Sequence, residues 1–308
     1  MSIGSVARLV RLPNLLAIIA FQTLLQYGLI VPRLEAMGAE GWLRGPLFAM
    51  LVAATVLIAA GGNAINDYFD IAADRVNRPG RVVVGGEVDR RSALLAHVLL
   101  SLVGVFAGIY VSFVLRRAAF MLLFVSVPVL LWFYSTHFKR QILVGNILVA
   151  LLVGLTGYIV VSADYAALDR QPGGPDTGSG ALSTLWYEVC AYCIFAFLSN
   201  LGREVIKDME DADGDRSSGC HTLAVELGSH YAKAVALLIE FFMCAMLVVV
   251  VAHLGLCQLS AYVALALIAP SLVLCVMVWR AGSPAAFHSA SVVSKLIMMA
   301  GVASILLL

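Results

Sequence analysis

The chain has 308 residues, of which 61% are hydrophobic and only 13% are charged. A soluble domain usually carries about 25% charged and about 45–50% apolar residues, so this composition excludes an ordinary soluble fold and indicates a membrane protein. The formal net charge is +1. Binding to nucleic acid requires a strongly basic surface, so we expect no nucleic-acid partner.

Crossing a bilayer as a helix takes roughly 20 mostly apolar residues. Prolines and glycines inside such runs do not exclude helices in lipid. We expect Gly61 and Gly62 to allow close helix packing, and we expect the acids Glu188 and Glu240 to lie near helix ends. The sequence predicts an all-α, multi-pass protein with nine spans, at residues 14–32, 45–66, 92–114, 118–136, 142–163, 182–202, 231–252, 258–279 and 288–308.

Lysine and arginine are distributed unevenly between the two sides that nine spans define. One side receives 15 of the 20 basic residues and the other receives five. Because cytoplasmic loops carry the excess of positive charge, we expect the rich side and the N-terminus to face the cytoplasm. The rich side holds Arg8, Arg11, Arg75, Arg78, Arg81, Arg90, Arg91, Lys139, Arg140, Arg203, Lys207, Arg216, Lys233, Arg280 and Lys295.

Two connections on that side, at about 67–91 and 203–230, hold most of the 19 acidic residues. In the first, Asn66, Asp70 and Asp74 follow a spacing of four, which places them on one face of a helix. Asp67 lies about 100° away from Asn66 on such a helix. Like charges at this spacing repel one another, so we expect a cation between them.

The second connection repeats this pattern after the sixth span. Asp208, Asp211 and Asp215 follow spacings of three and four and share one face, with Glu204 one turn earlier. Arg203 and Lys207 form a basic stripe on an adjacent face. Carboxylate and amide oxygens are hard ligands that suit Mg²⁺, which is usually held by one or two carboxylates and by substrate phosphates. The two clusters therefore predict Mg²⁺ sites that bind a diphosphate.

Other interpretations of these features remain open. Either cluster alone is also typical of a solvated acidic loop. Buried ionisable groups in membranes also mark transporters, although here the acids gather at one membrane face and we see no repeat of two halves. A CDP-alcohol phosphotransferase also uses Asp-rich Mg²⁺ sites, but this chain lacks the Asp-Gly-x-x-Ala-Arg string of that family.

Taken together, the motifs resemble those of the UbiA superfamily of intramembrane prenyltransferases. The NxxxDxxxD motif that follows the second helix in that family is matched by Asn66, Asp70 and Asp74. The DxxxD motif after the sixth helix is matched by Asp211 and Asp215, with Asp208 upstream. The resemblance covers the whole chain, 1–308, and implies a single domain with about nine helices around a central cavity.

The resemblance also implies roles for individual residues. Two Mg²⁺ ions would be held by Asn66, Asp70, Asp74, Asp208, Asp211 and Asp215, and the catalytic set would be Asp70, Asp74, Asp208, Asp211 and Lys139. The prenyl diphosphate and its acceptor would be bound by Asn14, Arg11, Arg78, Lys139, Tyr134, Lys207 and Asn146. The expected location is a cell inner membrane, with the active site facing the cytoplasm and membrane lipids as neighbours.

Within the superfamily, NDYFDIAADRVNRP and REVIKDMEDADGDRSSGCHTLA look most like the digeranylgeranylglyceryl phosphate synthase branch. This likeness implies geranylgeranylglyceryl phosphate as the lipophilic acceptor. The homogentisate and chlorophyll types share much of the KDxxDxxGD pattern, so an aromatic acceptor of quinone biosynthesis is the alternative. Many relatives follow the first motif with a Pro-rich turn ending in Ser-Gly, whereas this chain has RPGRVVVGGEVDRR, which leaves the acceptor open.

Overall fold

The computed structural model describes residues 2–39, 43, 45–77, 80, 82–169 and 180–308. This part of the chain is helical, apart from its connections and one isolated bridge between Val84 and Val88. In chain order the helices are α1 (Ile3–Leu9), α2 (Leu12–Ala36), α3 (Gly45–Phe69), α4 (Ile71–Asn77), α5 (Arg90–Leu115), α6 (Ala118–Arg140), α7 (Val144–Leu168), α8 (Gly180–Glu210), α9 (Ala212–Ser217), α10 (Leu223–Glu226), α11 (Ser229–Leu254), α12 (Gln258–Arg280) and α13 (Pro284–Leu307).

Nine helices within the described ranges are long and apolar enough to cross a membrane, namely α2, α3, α5, α6, α7, α8, α11, α12 and α13. This confirms the predicted all-α, multi-pass fold. Large apolar side chains such as Phe113, Leu122 and Leu265 are 80%, 70% and 75% exposed. Lipid is the solvent that covers such side chains. The protein is therefore an integral membrane protein.

Helices α3 and α8 extend beyond the apolar runs from which they were predicted. The second span was expected to end at residue 66 and the sixth at residue 202, but the helices continue to Phe69 and Glu210. Hydropathy marks where hydrocarbon ends, whereas backbone hydrogen bonding continues as long as helical geometry is maintained. The extension of α3 carries Asp67, and the extension of α8 carries Asp208.

Prolines inside two spans are accommodated by a wider turn before each of them. Helix α2 contains a π turn at Leu25–Ile30 just before Pro32, and α12 contains one at Val263–Ile268 just before Pro270. A proline ring clashes with the carbonyl four residues earlier and has no N–H to donate. A π turn relieves this clash without ending the helix.

The structure divides into two compact units. Unit 1 comprises Met1–Phe138 and Ile159–Tyr187, and unit 2 comprises Lys139–Tyr158 and Glu188–Leu308. Helices α7 and α8 contribute residues to both units. The prediction of one domain over 1–308 stays a prediction.

In unit 1, close packing of α3 against α5 depends on glycines. A Cβ atom on Gly61 would lie 2.5 Å from Ser101 Oγ and 3.1 Å from the His97 carbonyl oxygen. A Cβ atom on Gly104 would lie 3.0 Å from the Ala54 carbonyl oxygen and 2.8 Å from the Ile58 side chain. The prediction that Gly61 allows close helix packing is confirmed.

The N-terminal segment of unit 1 is tied to the connection between α4 and α5. Leu9 packs in one apolar cluster with Val84 and Val88 of that connection. The Glu87 carboxylate accepts hydrogen bonds from Ser5 Oγ and the Arg8 guanidinium, and these bonds lower the pKa of Glu87 below its usual value. The connection therefore lies against α1.

In unit 2, helices α8, α11, α12 and α13 share one apolar core that contains Phe195, Met243, Leu274 and Ile297. Polar side chains add interhelical bonds within it. Tyr192 Oη lies 3.0 Å from Ser304 Oγ, and Tyr262 Oη donates to the Ala300 carbonyl at 3.0 Å. Both tyrosine hydroxyl groups thus form hydrogen bonds to a neighbouring helix, as the absence of water in lipid requires.

Two charged residues occupy positions that the sequence analysis did not expect. Glu240 lies in the middle of α11 rather than near its end, and it is 1% exposed. Lys295 was counted with the loops but lies inside α13, which lowers the larger basic count by one. Both residues fall inside the predicted spans 231–252 and 288–308, so the spans were predicted correctly and the depths expected for these two side chains were wrong.

We expect Gly104→Ala to destabilise the protein. The added methyl group would meet the Ala54 carbonyl and the Ile58 backbone N–H at 3.0 and 3.1 Å, and backbone atoms cannot move aside cheaply. Overpacking of this kind costs about 1–3 kcal/mol. Thermal unfolding in detergent should show a lower Tm, while Gly282→Ala, where a Cβ meets nothing within 4 Å, should leave it unchanged. Equal Tm values for the two variants would contradict the close approach.

Candidate functional site

The first acidic cluster lies where α3 ends and α4 begins. Asn66 is 7% exposed, and its Nδ2 donates to Asp70 Oδ2 at 2.7 Å. Helix α3 ends at Phe69, yet the Asp70 N–H still donates to the Asn66 carbonyl at 3.0 Å. The Asp74 N–H in turn donates to the Asp70 carbonyl at 2.8 Å. The helical spacing of four therefore persists across the break.

Asp67, which follows Asn66, forms an ion pair with the residue that precedes α2. Arg11 Nη2 lies 2.8 Å from Asp67 Oδ1, and Asp67 is 7% exposed. Burial alone would lower the pKa of the Arg11 guanidinium, but the charge and hydrogen bond of Asp67 and the charge of Asp70 raise that pKa overall. Arg11 is therefore a permanent cation beside the first cluster.

The chain around Arg11 is held by further contacts within unit 1. Arg11 adopts a left-handed backbone conformation with φ of 53°. Asn63 Nδ2 donates to the Val10 carbonyl at 2.8 Å, and the Asn14 N–H donates to the Arg11 carbonyl at 2.8 Å. Tyr134 on α6 lies close enough to act electrostatically on Arg11. Of the predicted substrate-binding residues, Arg11 contacts Asp67 beside the first cluster and Tyr134 lies near Arg11, whereas the Asn14 contact is a backbone bond at the start of α2.

The second cluster belongs to unit 2 and contains a similar amide–carboxylate pair. Asn146 near the start of α7 donates from Nδ2 to Asp208 Oδ2 at 2.9 Å. The charges of Glu204, Asp215 and Lys207 act on the Asp208 carboxylate. Predicted site residues from α7, α8 and α9 therefore lie within electrostatic reach of one another.

A break in the helix also occurs within this cluster. Helix α8 ends at Glu210, and the short helix α9 starts at Ala212 with Asp211 at its N-cap position. The Asp211 N–H donates to the Lys207 carbonyl at 2.9 Å, and the Asp215 N–H donates to the Asp211 carbonyl at 3.1 Å. Asp215 is 6% exposed, whereas Asp213 is exposed. The two carboxylates of this short segment therefore lie in different environments, one buried and one solvated.

Basic side chains accompany the second cluster. Arg203 Nη1 lies 3.0 Å from Glu204 Oε1, and their side chains are 20% and 17% exposed. Lys207 is half-buried on α8, and Lys139 is half-buried at the end of α6. Both predicted phosphate-binding lysines are thus described, whereas Arg78 lies outside the described residues.

The oxygens of the clusters suit Mg²⁺. Asn66 Oδ1 is buried and has no hydrogen-bond partner, while its Nδ2 fixes Asp70, so a hard amide oxygen stands beside a carboxylate. Within the described ranges, no group of three or more His, Cys, Asp or Glu side chains is placed to hold a metal ion. Mg²⁺ usually needs only one or two carboxylates, with water and phosphate oxygens completing its shell.

Sequence reasoning did not select Asp67 or Asn200 as site residues. Asp67 falls off the face that carries Asn66 and Asp70, and only the fold shows its partner Arg11, 56 positions away in sequence. Asn200 lies one turn before Arg203 on α8, is 7% exposed, and has a buried Nδ2 without a partner. An asparagine inside an apolar run was the one available signal for Asn200.

Curated proteins that are similar to this chain share the name digeranylgeranylglyceryl phosphate synthase. A digeranylgeranylglyceryl phosphate synthase from Methanopyrus kandleri is 37% identical over 196 residues, which are 62% of this chain and 61% of that protein. Another from Thermococcus kodakarensis is 34% identical over 213 residues, which are 68% of this chain and 67% of that protein. The first match therefore spans less than two thirds of the relative's length.

Solved structures with the same fold cover nearly the whole chain. One, described as digeranylgeranylglyceryl phosphate synthase in membranes, has a TM-score of 0.64 at 17% identity and covers 99% of each chain. Another, a UbiA homolog from Archaeoglobus fulgidus bound to DMAPP and Mg²⁺, has a TM-score of 0.57 at 17% identity and covers 99% of this chain and 100% of that one. At this identity the likeness establishes the fold.

The UbiA prenyltransferase family matches residues 34–296, a range that includes both acidic clusters and seven complete membrane-spanning helices. This match extends over far more than half of the 308 residues. The chain belongs to the UbiA prenyltransferase family.

Proposed function

We propose that this protein is a Mg²⁺-dependent prenyltransferase that transfers an isoprenoid chain from a prenyl diphosphate to geranylgeranylglyceryl phosphate. The observation that carries the proposal is the pair of acidic clusters, each with a carboxylate fixed by an asparagine amide, in a member of the UbiA family. The name shared by the curated relatives supports the acceptor. The ligands in the archaeal UbiA homolog structure support the donor and the metal.

In the proposed mechanism, Asn66, Asp70 and Asp74 are the residues of the first cluster that would hold one cation. Asn66 Oδ1 supplies a buried neutral ligand, and the amide bond to Asp70 orients that carboxylate. When bound, Mg²⁺ supplies Lewis-acid stabilisation of the departing diphosphate. Arg11, held by Asp67, and the neighbouring Tyr134 and Asn14 add polar contacts to the diphosphate oxygens. Arg78 is proposed for the same role.

In the second cluster, Asp208, Asp211 and Asp215 are the residues that would hold a second cation. Asn146 orients Asp208, and Lys207 and Lys139 are proposed to contact diphosphate oxygens. In the reaction the donor's C1–O bond breaks, and the electron pair leaves with the diphosphate. The acceptor hydroxyl oxygen forms the new bond to C1, and its proton passes to a carboxylate of this cluster, Glu204 or Asp208. Apolar helices exclude water, which protects the allylic cation from hydrolysis.

The proposed location is a cell inner membrane with both clusters facing the cytoplasm. The basis is the excess of Lys and Arg on one side of the predicted topology. Both clusters follow spans that end on that side in this topology. A cytoplasmic site has direct access to water-soluble Mg²⁺.

The first test is a product assay with the purified full chain in detergent, Mg²⁺ and geranylgeranyl diphosphate. Parallel reactions contain geranylgeranylglyceryl phosphate, 4-hydroxybenzoate, 1,4-dihydroxy-2-naphthoate or homogentisate, and mass spectrometry detects the products. We expect digeranylgeranylglyceryl phosphate, and we expect EDTA to abolish it. Prenylation of an arene alone would reject the proposed acceptor. Neither product nor diphosphate release with any acceptor would reject the transferase.

Removing one charge from either cluster should abolish most of the turnover. We expect Asp70→Asn and Asp211→Asn each to lower kcat roughly 100-fold or more, because a metal ion supplies several kcal/mol of transition-state stabilisation. The matched control is Asp213→Asn, which removes an exposed carboxylate from the same short segment and should retain turnover. Activities of Asp211→Asn and Asp213→Asn that are equal would contradict the assignment of the second cluster.

Native Cys257 provides a test of the topology. It lies between α11 and α12, on the side opposite the clusters in the predicted topology, and it is the exposed cysteine of the six. Hydrogen bonds from the Ser260 backbone N–H and hydroxyl lower the pKa of its thiol, which favours reaction with alkylating reagents. A membrane-impermeant maleimide should therefore label Cys257 on intact spheroplasts.

Two variants complete this measurement. Cys257→Ser should remove the labelling of intact spheroplasts. Asp213→Cys in the Cys257→Ser background should be labelled only after the membrane is permeabilised. Labelling of Asp213→Cys on intact spheroplasts would reverse the proposed orientation.

A further inference from the structure

Helices α8 and α13 of unit 2 pack antiparallel in a register that contacts along their length define. Near one end, His288 Nδ1 lies 2.9 Å from Glu210 Oε1. Near the other, Tyr192 Oη lies 3.0 Å from Ser304 Oγ. Between them, the charge of Arg203 acts on Lys295. Arg203 precedes Glu210 by two helical turns and Lys295 follows His288 by two, so the two cations meet at the same level.

That level lies inside the helical pair rather than at its end. Two turns correspond to about 10 Å along the helix axis. The headgroup region of a bilayer adds only about 5–8 Å on each side of the hydrocarbon. Like charges repel, and the repulsion is stronger where water is scarce. Glu204, which pairs with Arg203 at 3.0 Å, is the carboxylate on α8 at this level.

Two buried hydrogen-bond donors at this level have no acceptor within the described part of the protein. Arg203 donates from Nη1 to Glu204, but its Nε is buried and has no partner. Asn200 lies one turn deeper on the same face of α8, is 7% exposed, and has a buried Nδ2 that donates to no acceptor. Buried donors are normally paired, so these two favour a ligand that supplies acceptor oxygens.

We propose that Asn200, Arg203 and Lys295 form the subsite for the anionic group of the prenyl acceptor, a phosphate or a carboxylate. This inference rests on the proposed transferase function and deepens it. The donor's diphosphate is assigned to the metal-binding carboxylates, which begin at Asp208, more than one turn closer to the end of α8. The subsite therefore serves the second substrate. A guanidinium and an ammonium are the groups that proteins use to bind such oxyanions.

The test compares steady-state kinetics of the full chain with those of Arg203→Gln, Lys295→Gln and Asn200→Asp. Each of the first two removes one charge, and the third replaces an amide donor with an acid of the same shape. We expect KM for geranylgeranylglyceryl phosphate to rise about 10- to 100-fold, as for a lost charge-assisted hydrogen bond. KM for geranylgeranyl diphosphate should stay within about twofold. Lys295→Arg keeps the charge and should stay close to wild type.

The matched control is Lys233→Gln, which removes a cation on α11 that donates to the Trp279 carbonyl in an exposed position. Its KM for both substrates should equal the wild-type values, and thermal unfolding should show that every variant is folded. Unchanged acceptor KM in folded Arg203→Gln and Lys295→Gln would overturn the proposal. A rise in donor KM alone would also overturn it, because it would assign these groups to the diphosphate.

Direct titration separates the subsite from the proposed function. Calorimetry in detergent measures the binding of geranylgeranylglyceryl phosphate, its uncharged parent alcohol and 4-hydroxybenzoate. If wild type forms no prenylated product with any acceptor, the transferase proposal fails. The subsite is still supported if an anionic ligand binds wild type more tightly than Arg203→Gln. Equal affinities, or a preference for the uncharged alcohol, would overturn it, and the preferred anion identifies the acceptor class.

Discussion

The cost of leaving a polar group unsatisfied in hydrocarbon governs this structure. Water is absent there, so each span bonds its own backbone, and Pro32 and Pro270 each follow a π turn rather than a break. Carboxylates lie instead where α3 and α8 continue beyond their apolar sequences. Both helices then break within the motif, at Asp70 and Asp211, while backbone bonds to residues four earlier continue. The breaks thus leave the spacing of the acids intact.

The same cost explains why the spans were predictable from sequence. A run of about 20 apolar residues has few alternatives to a membrane helix, and all nine were found. The pairing of Asn66 with Asp70 followed from local periodicity. The ion pair of Arg11 with Asp67 did not, because it joins residues far apart in sequence. Glu240 and Lys295 were misplaced because hydropathy averages over a window and does not fix the depth of one residue.

In both clusters an asparagine amide donates a hydrogen bond to an aspartate carboxylate, but the two pairs are built differently. In the first, Asn66 and Asp70 belong to consecutive turns, and the amide donates along the helix at 2.7 Å. In the second, Asn146 comes from α7 and reaches Asp208 on α8 at 2.9 Å. An amide donor holds one carboxylate oxygen in place and weakens repulsion among the acids without adding a competing charge. Only the first pair was visible in the spacing of the sequence.

Charge placement in unit 2 then follows a gradient along α8. Asn200 and Arg203 lie deepest, Lys207 and Asp208 follow, and Asp211 and Asp215 lie beyond the end of the helix. Asn200 and Arg203 thus lie deeper than Asp208, Asp211 and Asp215, and Glu204 is the carboxylate that pairs with Arg203 at the deeper level. A transporter would need ionisable groups distributed through the depth of the membrane. In α8 the acidic and basic side chains other than Glu188 lie in the last third, where Arg203 is paired with Glu204 and the remaining carboxylates follow closer to the helix end. This order fits the binding of an anion and a metal at adjacent positions.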